Sequence, residues 1–332
     1  MRLCREALNM KLDTSIRNNI KGLIYGQAIG DALGLGTEFM SKAEVRTKYP
    51  DGLTNYDQIF QDKHRSRWKK GSWTDDTDQF LCILNSINDN GNINLLDTAK
   101  RFHDWYLNNP MGIGRTTLSV LSMPQYTLYP QKAAELVWKL KKKKVAPNGG
   151  VMRTSIVGVW NFWDQESVLI NSSQICGLTH HDQRCMDSCK VVGYLVSSEL
   201  NKKPVEQNRL QKFISKQDLR VQEYFAAPFT RDISALHLDN NKDMGYTLKT
   251  LSAGLWAYYH AGSFEDGIMQ IIHEGGDADT NGCVVGSLLG VKYGFSSIPE
   301  SWVDGLGSKE VLEKKYKKLI EVMEVSNGES NI

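Results

Sequence analysis

The chain has 332 residues, 41% hydrophobic and 23% charged, enough for one large core or two modest ones and ordinary for a globular enzyme. A net charge of +2 gives no general attraction to nucleic acid or anionic surfaces, and no run approaches the roughly 18 apolar residues a membrane span needs. Six cysteines without CxxC pairing read as free thiols of a reducing compartment, so a cytoplasmic protein is expected.

Residues 1–19 read as an N-terminal extension, since Met1 to Lys11 lacks the apolar run and small-residue cleavage site of a secretory signal. Helical periodicity begins at Ile20, with Ile20, Leu23, Ile24 and Ala28 on one stripe. Gly22, Gly26, Gly30 and Gly34 step by four through the same segment and predict a smooth face for a second backbone; each glycine costs a helix about 1 kcal/mol relative to alanine, which close packing would offset. Gly26 to Gly36 lacks the GxGxxG order of a dinucleotide loop. Trp73-Thr74-Asp75-Asp76-Thr77-Asp78 then runs into a helix marked by Phe80, Leu84 and Ile87. A helix cap uses one side-chain oxygen, whereas three adjacent carboxylates repel one another unless a cation or strong donors offset them.

Further on, Lys139 to Lys144 reads as a solvated helix end, because it has no interleaved aromatics and no second basic cluster; no nucleic-acid partner is expected. Asn148-Gly149-Gly150-Val151-Met152-Arg153 is either an ordinary turn or an anion cradle at the start of a helix covering Ile156 to Trp160. Cys185 and Cys189 lie four apart on a helix without the other half of a metal site. Residues 201–243 read as a polar excursion, or lid, between core helices. Leu248, Leu251, Leu255, Tyr258 and Tyr259 mark another helix. Gly275-Gly276-Asp277-Ala278-Asp279-Thr280-Asn281 is a second acidic motif, followed by Gly282, Gly286 and Gly290, again stepping by four. Strand-like alternation is scarce, so the fold class is all-α: a single helical domain over 20–322 with a frayed tail at 323–332.

Both acidic motifs combine carboxylates with a threonine hydroxyl and lack His or thiolate ligands. Such all-oxygen sets select Mg²⁺, Mn²⁺ or Ca²⁺ over zinc or copper. They read as halves of one site that the fold must bring together.

In order, Gly30-Asp31-Ala32-Leu33-Gly34 with Glu38-Phe39, Trp73 to Thr77, Asn148 to Arg153, Thr179-His180 and Gly275 to Asn281 resemble the motifs of ADP-ribosylglycohydrolases, above all the bacterial dinitrogenase reductase-activating glycohydrolase branch. The likeness spans roughly Ile20 to Gly294. It implies a compact orthogonal helical bundle with two Mg²⁺ or Mn²⁺ ions at the bottom of an ADP-ribose cleft. By the resemblance, Thr74, Asp75, Asp76, Asp277, Asp279 and Thr280 are metal ligands. Glu38 matches a flap glutamate and, with Asp277, is a candidate catalytic residue. Gly114, Asn148, Gly149, Gly150, Val151, Met152 and His180 are candidate substrate-binding residues.

The implied reaction is hydrolysis of the glycosidic bond between ADP-ribose and a modified acceptor. Arginine on a protein comes first, serine-linked or O-acyl ADP-ribose next, and an inactive ADP-ribose-binding module or a two-metal phosphoesterase are the readings from other classes. The expected protein is a monomer acting on an ADP-ribosylated protein or small molecule. One departure bears on the acceptor: Asn109-Pro110-Met111-Gly112-Ile113-Gly114 has Gly112 where many bacterial relatives carry an acidic residue, a natural partner for guanidinium. Arg115 beside it is a candidate for an anionic part of the ligand.

Overall fold

The computed structural model describes residues 12–225 and 227–329. In chain order the helices are α1 (Thr14–Gly34), α2 (Lys42–Lys48), α3 (Asp75–Asn90), α4 (Leu95–Leu107), α5 (Arg115–Leu121), α6 (Pro130–Leu140), α7 (Gln165–Cys176) and α8 (Gln183–Leu200). They continue with α9 (Gln207–Ile214), α10 (Leu219–Glu223), α11 (Thr247–His260), α12 (Phe264–Ile272), α13 (Ala278–Tyr293), α14 (Glu300–Gly305) and α15 (Lys309–Glu329). Among the described residues there is no strand, only an isolated bridge between Pro147 and Tyr246. The all-helical class expected from the scarcity of alternation is therefore observed. No helix among the described residues is long and apolar enough to cross a membrane.

At the centre α1 and α13 pack antiparallel through the two glycine stripes. A Cβ on Gly22, Gly26, Gly30 or Gly34 would overlap the carbonyl oxygen of Gly290, Gly286, Gly282 or Ala278, and Cβ atoms on Gly282, Gly286 and Gly290 would overlap those of Gly30, Gly26 and Gly22. The hydrogens standing in place of those Cβ atoms point at carbonyls, a pattern of Cα–H···O contacts that contributes about 0.5–1 kcal/mol each. Every residue of α13 from Ala278 to Val291 is buried, with α11 and α12 packed on its other sides. Next to this pair, α7 pairs with α8, while α3 lies against α4 and α15.

Several element boundaries differ from those the sequence suggests. Helix α1 starts at Thr14, inside the expected extension, because Asp13 caps it through Oδ1 to the Ile16 amide (2.8 Å) and Leu12 and Ile16 are core residues. At the other end α15 runs to Glu329, with Met323 only 1% exposed, so residues 323–329 of the expected tail are helical, while 330–332 lie outside the described residues. The expected helix over Ile156 to Trp160 is a pair of 3₁₀ turns, Val151–Arg153 and Ser155–Gly158. There the Thr154 hydroxyl donates to the Gly150 carbonyl (2.6 Å), a local bond that competes with α-helix, and Asn161 closes the run at φ 51°. The 201–243 segment is less polar than its composition suggests: Val205, Leu210, Ile214, Val221, Leu236 and Leu238 are buried. The buried Lys249 of α11 ties its end down through Asp243 (2.8 Å) and the His237 carbonyl.

The interlock predicts that Gly286→Ala costs upwards of about 3 kcal/mol, the upper range for overpacking a core. Gly262→Ala, where the nearest atom is Asp266 Oδ2 at 3.7 Å on an exposed loop, stays within about 0.5 kcal/mol. Urea unfolding of both variants checks this; equal stability would mean the helices separate easily.

Candidate active site

The interlocked pair delivers one chain segment from each end to the same place. Past α1, the loop to Ser41 meets the loop before α13: the Phe39 amide donates to Gly276 O (2.6 Å) and the Gly276 amide to Met40 O (2.8 Å). Gly275 and Gly276 hold φ of 72° and 73°, and a Cβ on either would strike the carbonyl of Met40 or Leu238, so this crossing requires glycine. Arg65, 3% exposed, donates from Nε to Leu35 O and Gly36 O (both 3.0 Å) and from its terminal nitrogens to Glu38 O and Asp62. Glu38 thus has a fixed backbone, and its carboxylate, in a residue 7% exposed, accepts from His64 Nε2 at 2.6 Å.

Helix α1 also places the other acidic motif. Asp31, fully buried, accepts the Thr74 amide on Oδ1 (2.9 Å) and the Thr77 amide and hydroxyl on Oδ2 (3.0 and 2.7 Å), so a carboxylate of α1 caps the start of α3. Thr74 is itself the N-cap, its Oγ1 accepting from the Asp76 amide (3.5 Å). Asp78 is engaged elsewhere, by the indole N–H groups of Trp73 (2.9 Å) and Trp105 (3.1 Å). On α13, Asp277 occupies the N-cap position without capping; it accepts from Asn148 Nδ2 (2.7 Å), whose other bond goes to Thr250 Oγ1 (2.9 Å).

Carboxylate oxygens of Glu38, Asp277 and Asp279 lie within 4.8 Å of one another, and Asp76 Oδ1 is buried with no hydrogen-bond partner. Burial first, then repulsion from neighbouring carboxylates, raises Asp75 to about 7 and holds Asp76 and Asp279 well above the usual range. Asp277 is raised to about 6 by burial and by Glu38, with the Asn148 bond opposing. Such a cluster, oxygen-only and with an orphaned buried acceptor, fits a hard divalent cation, whose charge would reverse these shifts.

The cluster forms the floor of a cleft of about 1190 Å³, above the roughly 300–1,000 Å³ common for small-molecule sites. Its lining includes Glu38, Phe39, His64, Arg67 and Trp68, and also Arg115, Thr117, Lys141, Asn148, Gly149 and His180. His180 is neutral, because burial holds its pKa well below the usual value. Its Nδ1 meets the Thr179 hydroxyl (2.7 Å), whose oxygen also accepts from the buried Arg153, so the ring is held in place from its inner edge.

The family pattern of the ADP-ribosylglycohydrolases matches residues 12–329. The chain belongs to that family. This glycohydrolase is a hydrolase of all-helical fold, with an acidic cluster that could hold metal. It is 25% identical over 306 residues to the ADP-ribosylarginine hydrolase Tri1 of Serratia proteamaculans, covering 90% of this chain and 78% of that one. It is also 25% identical over 327 residues to the ADP-ribosyl-[dinitrogen reductase] glycohydrolase of Rhodospirillum rubrum, covering 93% and 96%. A solved structure titled ADP-ribosylglycohydrolase-related protein complex superposes with a TM-score of 0.73 at 24% identity, over 94% of this chain and all of that one, a likeness of fold.

Of the residues singled out from sequence, Glu38, Thr74, Asp75, Asp76, Asp277, Asp279, Thr280, Gly114, Asn148, Gly149, Met152 and His180 all line the cleft of the glycohydrolase. Gly150 and Val151 do not: Gly150 packs on Cys176 Sγ, and Val151 is fully buried in the core. Asn148 turns its amide to Asp277, so it orients an acid of the floor. Sequence reasoning gave no role to His64, Arg67, Trp68 or Thr117, none of which signals itself by spacing, and it read Lys141 as part of a solvated helix end, whereas it lines the cleft. Asp31 stood inside a quoted motif, and its position on the glycine-striped helix was the available clue.

Two measurements test the glycohydrolase site. Since the raised carboxylates hold protons up to about pH 6–7, cation binding must displace them, and affinity rises with pH. Mn²⁺ at about 100 times its Kd adds about 2.7 kcal/mol, a rise of roughly 5 °C in Tm; the shift relative to EDTA should be larger at pH 7.5 than at pH 5.5. A shift absent at both pH values would remove the metal site. Asn148→Ala should weaken Mn²⁺ binding or turnover about 10–100-fold, as loss of a ligand's orienting bond typically does, while Tm without metal changes little; calorimetric titration reads the first and a melt the second.

Proposed function

We propose that this hydrolase removes ADP-ribose from arginine side chains of modified proteins, by cleaving the N-glycosidic bond in a metal-dependent reaction. The observation that carries the reading is the meeting of the two acidic helix starts under Glu38 at the floor of a long cleft. Thr74, Asp75, Asp76, Asp277, Asp279 and Thr280 would hold two Mg²⁺ or Mn²⁺ ions, as in the resemblance. Bound there, such ions orient sugar hydroxyls and acidify water. The chain's own groups do the rest: His180 offers a neutral imidazole to the diphosphate end, with Gly149 and Met152 beside it, and Asn148 orients Asp277. Glu38, held over the floor, serves as the acid or base next to the anomeric carbon. Arg115 and Lys141, which also line the cleft, bring positive charge to it. The arginine acceptor follows the Tri1 relative, named an ADP-ribosylarginine hydrolase, and the protein-bound substrate follows the dinitrogen reductase relative as well. We further propose a single domain acting as a cytoplasmic monomer.

A second acceptor class is favoured by one contact. A Cβ on Gly112 would lie 2.6 Å from Asp75 Oδ1 and 3.5 Å from the Trp68 ring, so an acidic side chain there would crowd Asp75 with a second negative charge. That favours O-linked acceptors, serine or acyl, which need no anionic partner. Release of free ADP-ribose from arginine-linked and serine-linked peptides decides between them, measured with Mg²⁺, with EDTA and for Asp277→Ala. Metal-dependent release from the arginine peptide, lost in the variant, is expected; release from the serine peptide alone reassigns the acceptor. AMP as product would mean pyrophosphate cleavage, and binding without release a reader module.

A further inference from the structure

Beside Glu38 the cleft mouth carries a chain of contacts that the acidic motifs do not require. His64 Nε2 meets Glu38 Oε2 at 2.6 Å, and its Nδ1 meets Arg67 Nη2 at 2.9 Å. An arginine side chain has only donors and keeps its proton at any pH a protein survives. Nδ1 must therefore accept, so the ring proton sits on Nε2 and is donated to Glu38. Protonating Nδ1 as well would set N–H against N–H. Arg67 is itself held, by Nη1 to Met111 O (3.0 Å), by Nε to His64 O (3.2 Å) and by its guanidinium over the Trp68 ring at 4.3 Å. The imidazole lies between Phe39 (centroids 5.2 Å apart) and Trp68 (5.3 Å). Each degree of freedom of the ring is fixed, its tautomer included.

We infer that His64 is a positioning residue for Glu38, locked by Arg67 as a neutral Nε2–H donor that engages one carboxylate oxygen and fixes how the carboxylate presents itself to the cleft floor. The backbone of Glu38 is already immobile, through Arg65 on its carbonyl and the Phe39 amide on Gly276. The remaining freedom is rotation of the side chain, and His64 removes it. Rotating the Glu38 side chain away then requires breaking this one hydrogen bond. Arg67 is exposed and Met111 belongs to the cleft-lining segment leading to Gly112, so the lock also ties Glu38 to that wall of the cleft.

Nitrogen-15 NMR of the histidine-labelled full chain tests the lock without any substrate, the His64 signals being assigned by their loss in His64→Gln. The expected spectrum has Nε2 protonated and Nδ1 bare, with and without Mg²⁺. A bare Nε2, or a protonated Nδ1, overturns the inference. The kinetic arm rests on the proposed ADP-ribosyl hydrolysis. There His64→Leu should lower kcat about 10–100-fold, as loss of an orienting bond does, with KM little changed, and His64→Gln, which keeps an N–H at the same reach, should recover most of it. Equal kcat in the His64→Leu and His64→Gln variants at unchanged Tm would show that His64 does not position Glu38. Failure of the wild type to release ADP-ribose would count against the proposed function and leave the NMR result standing.

Discussion

Direct backbone contact between α1 and α13 is the constraint on which the rest of the molecule depends. Three reciprocal glycine pairs and Gly34 against Ala278 admit one register, because sliding either helix by a residue turns side chains into the gap. With register set, α1 governs both acidic motifs. Its last turn abuts the first of α13, where Asp277 and Asp279 sit, and Asp31 one turn earlier caps α3, where Asp75 and Asp76 sit. The site is rigid for the same reason that the core is dense. Its carboxylates stand at helix starts, where the macrodipole favours negative charge, and burial is what makes them cation-seeking.

Across the floor the electrostatics change sign. The acidic end gathers carboxylates raised by burial, while behind His180 lies Arg153, fully buried, stacked on Phe102 at 4.2 Å and bonded to Gln79 and Thr179 but to no carboxylate. Gln79 passes its amide to Asp75 Oδ2 (3.2 Å), so one buried cation reaches toward the acidic floor on one arm and the His180 imidazole on the other. A ligand with a charged middle and a sugar at one end matches that polarity better than a uniformly charged one.

Much of this was legible in the sequence, for local reasons. Both acidic motifs and both glycine stripes are short-range patterns, and a four-residue step on a helix carries its own geometry. The all-helical class followed from periodicity. What was not legible depended on tertiary contact. His64 and Arg67 lie in an irregular stretch where nothing marks one side chain above another, and their meaning arises only from Glu38, which follows α1. Gly112 read as a missing acid, whereas its significance is the space it leaves for Asp75 and Trp68. The run after Arg153 looked helical because apolar residues are continuous there; it is buried on every side, and Thr154 and the Met152 carbonyl, held by Gln27 (2.8 Å), turn it instead.

The pairing of an early helix with a late one also has a consequence during synthesis. About 200 residues separate the two acidic motifs, which at about 5–20 residues per second corresponds to roughly 10–40 s of translation. Throughout that interval the nascent chain carries the glycine stripe of α1 without the helix that packs on it, and the acids of one motif without those of the other. The chain can close this seam, and bring its two acidic motifs together, only after α13 has been made.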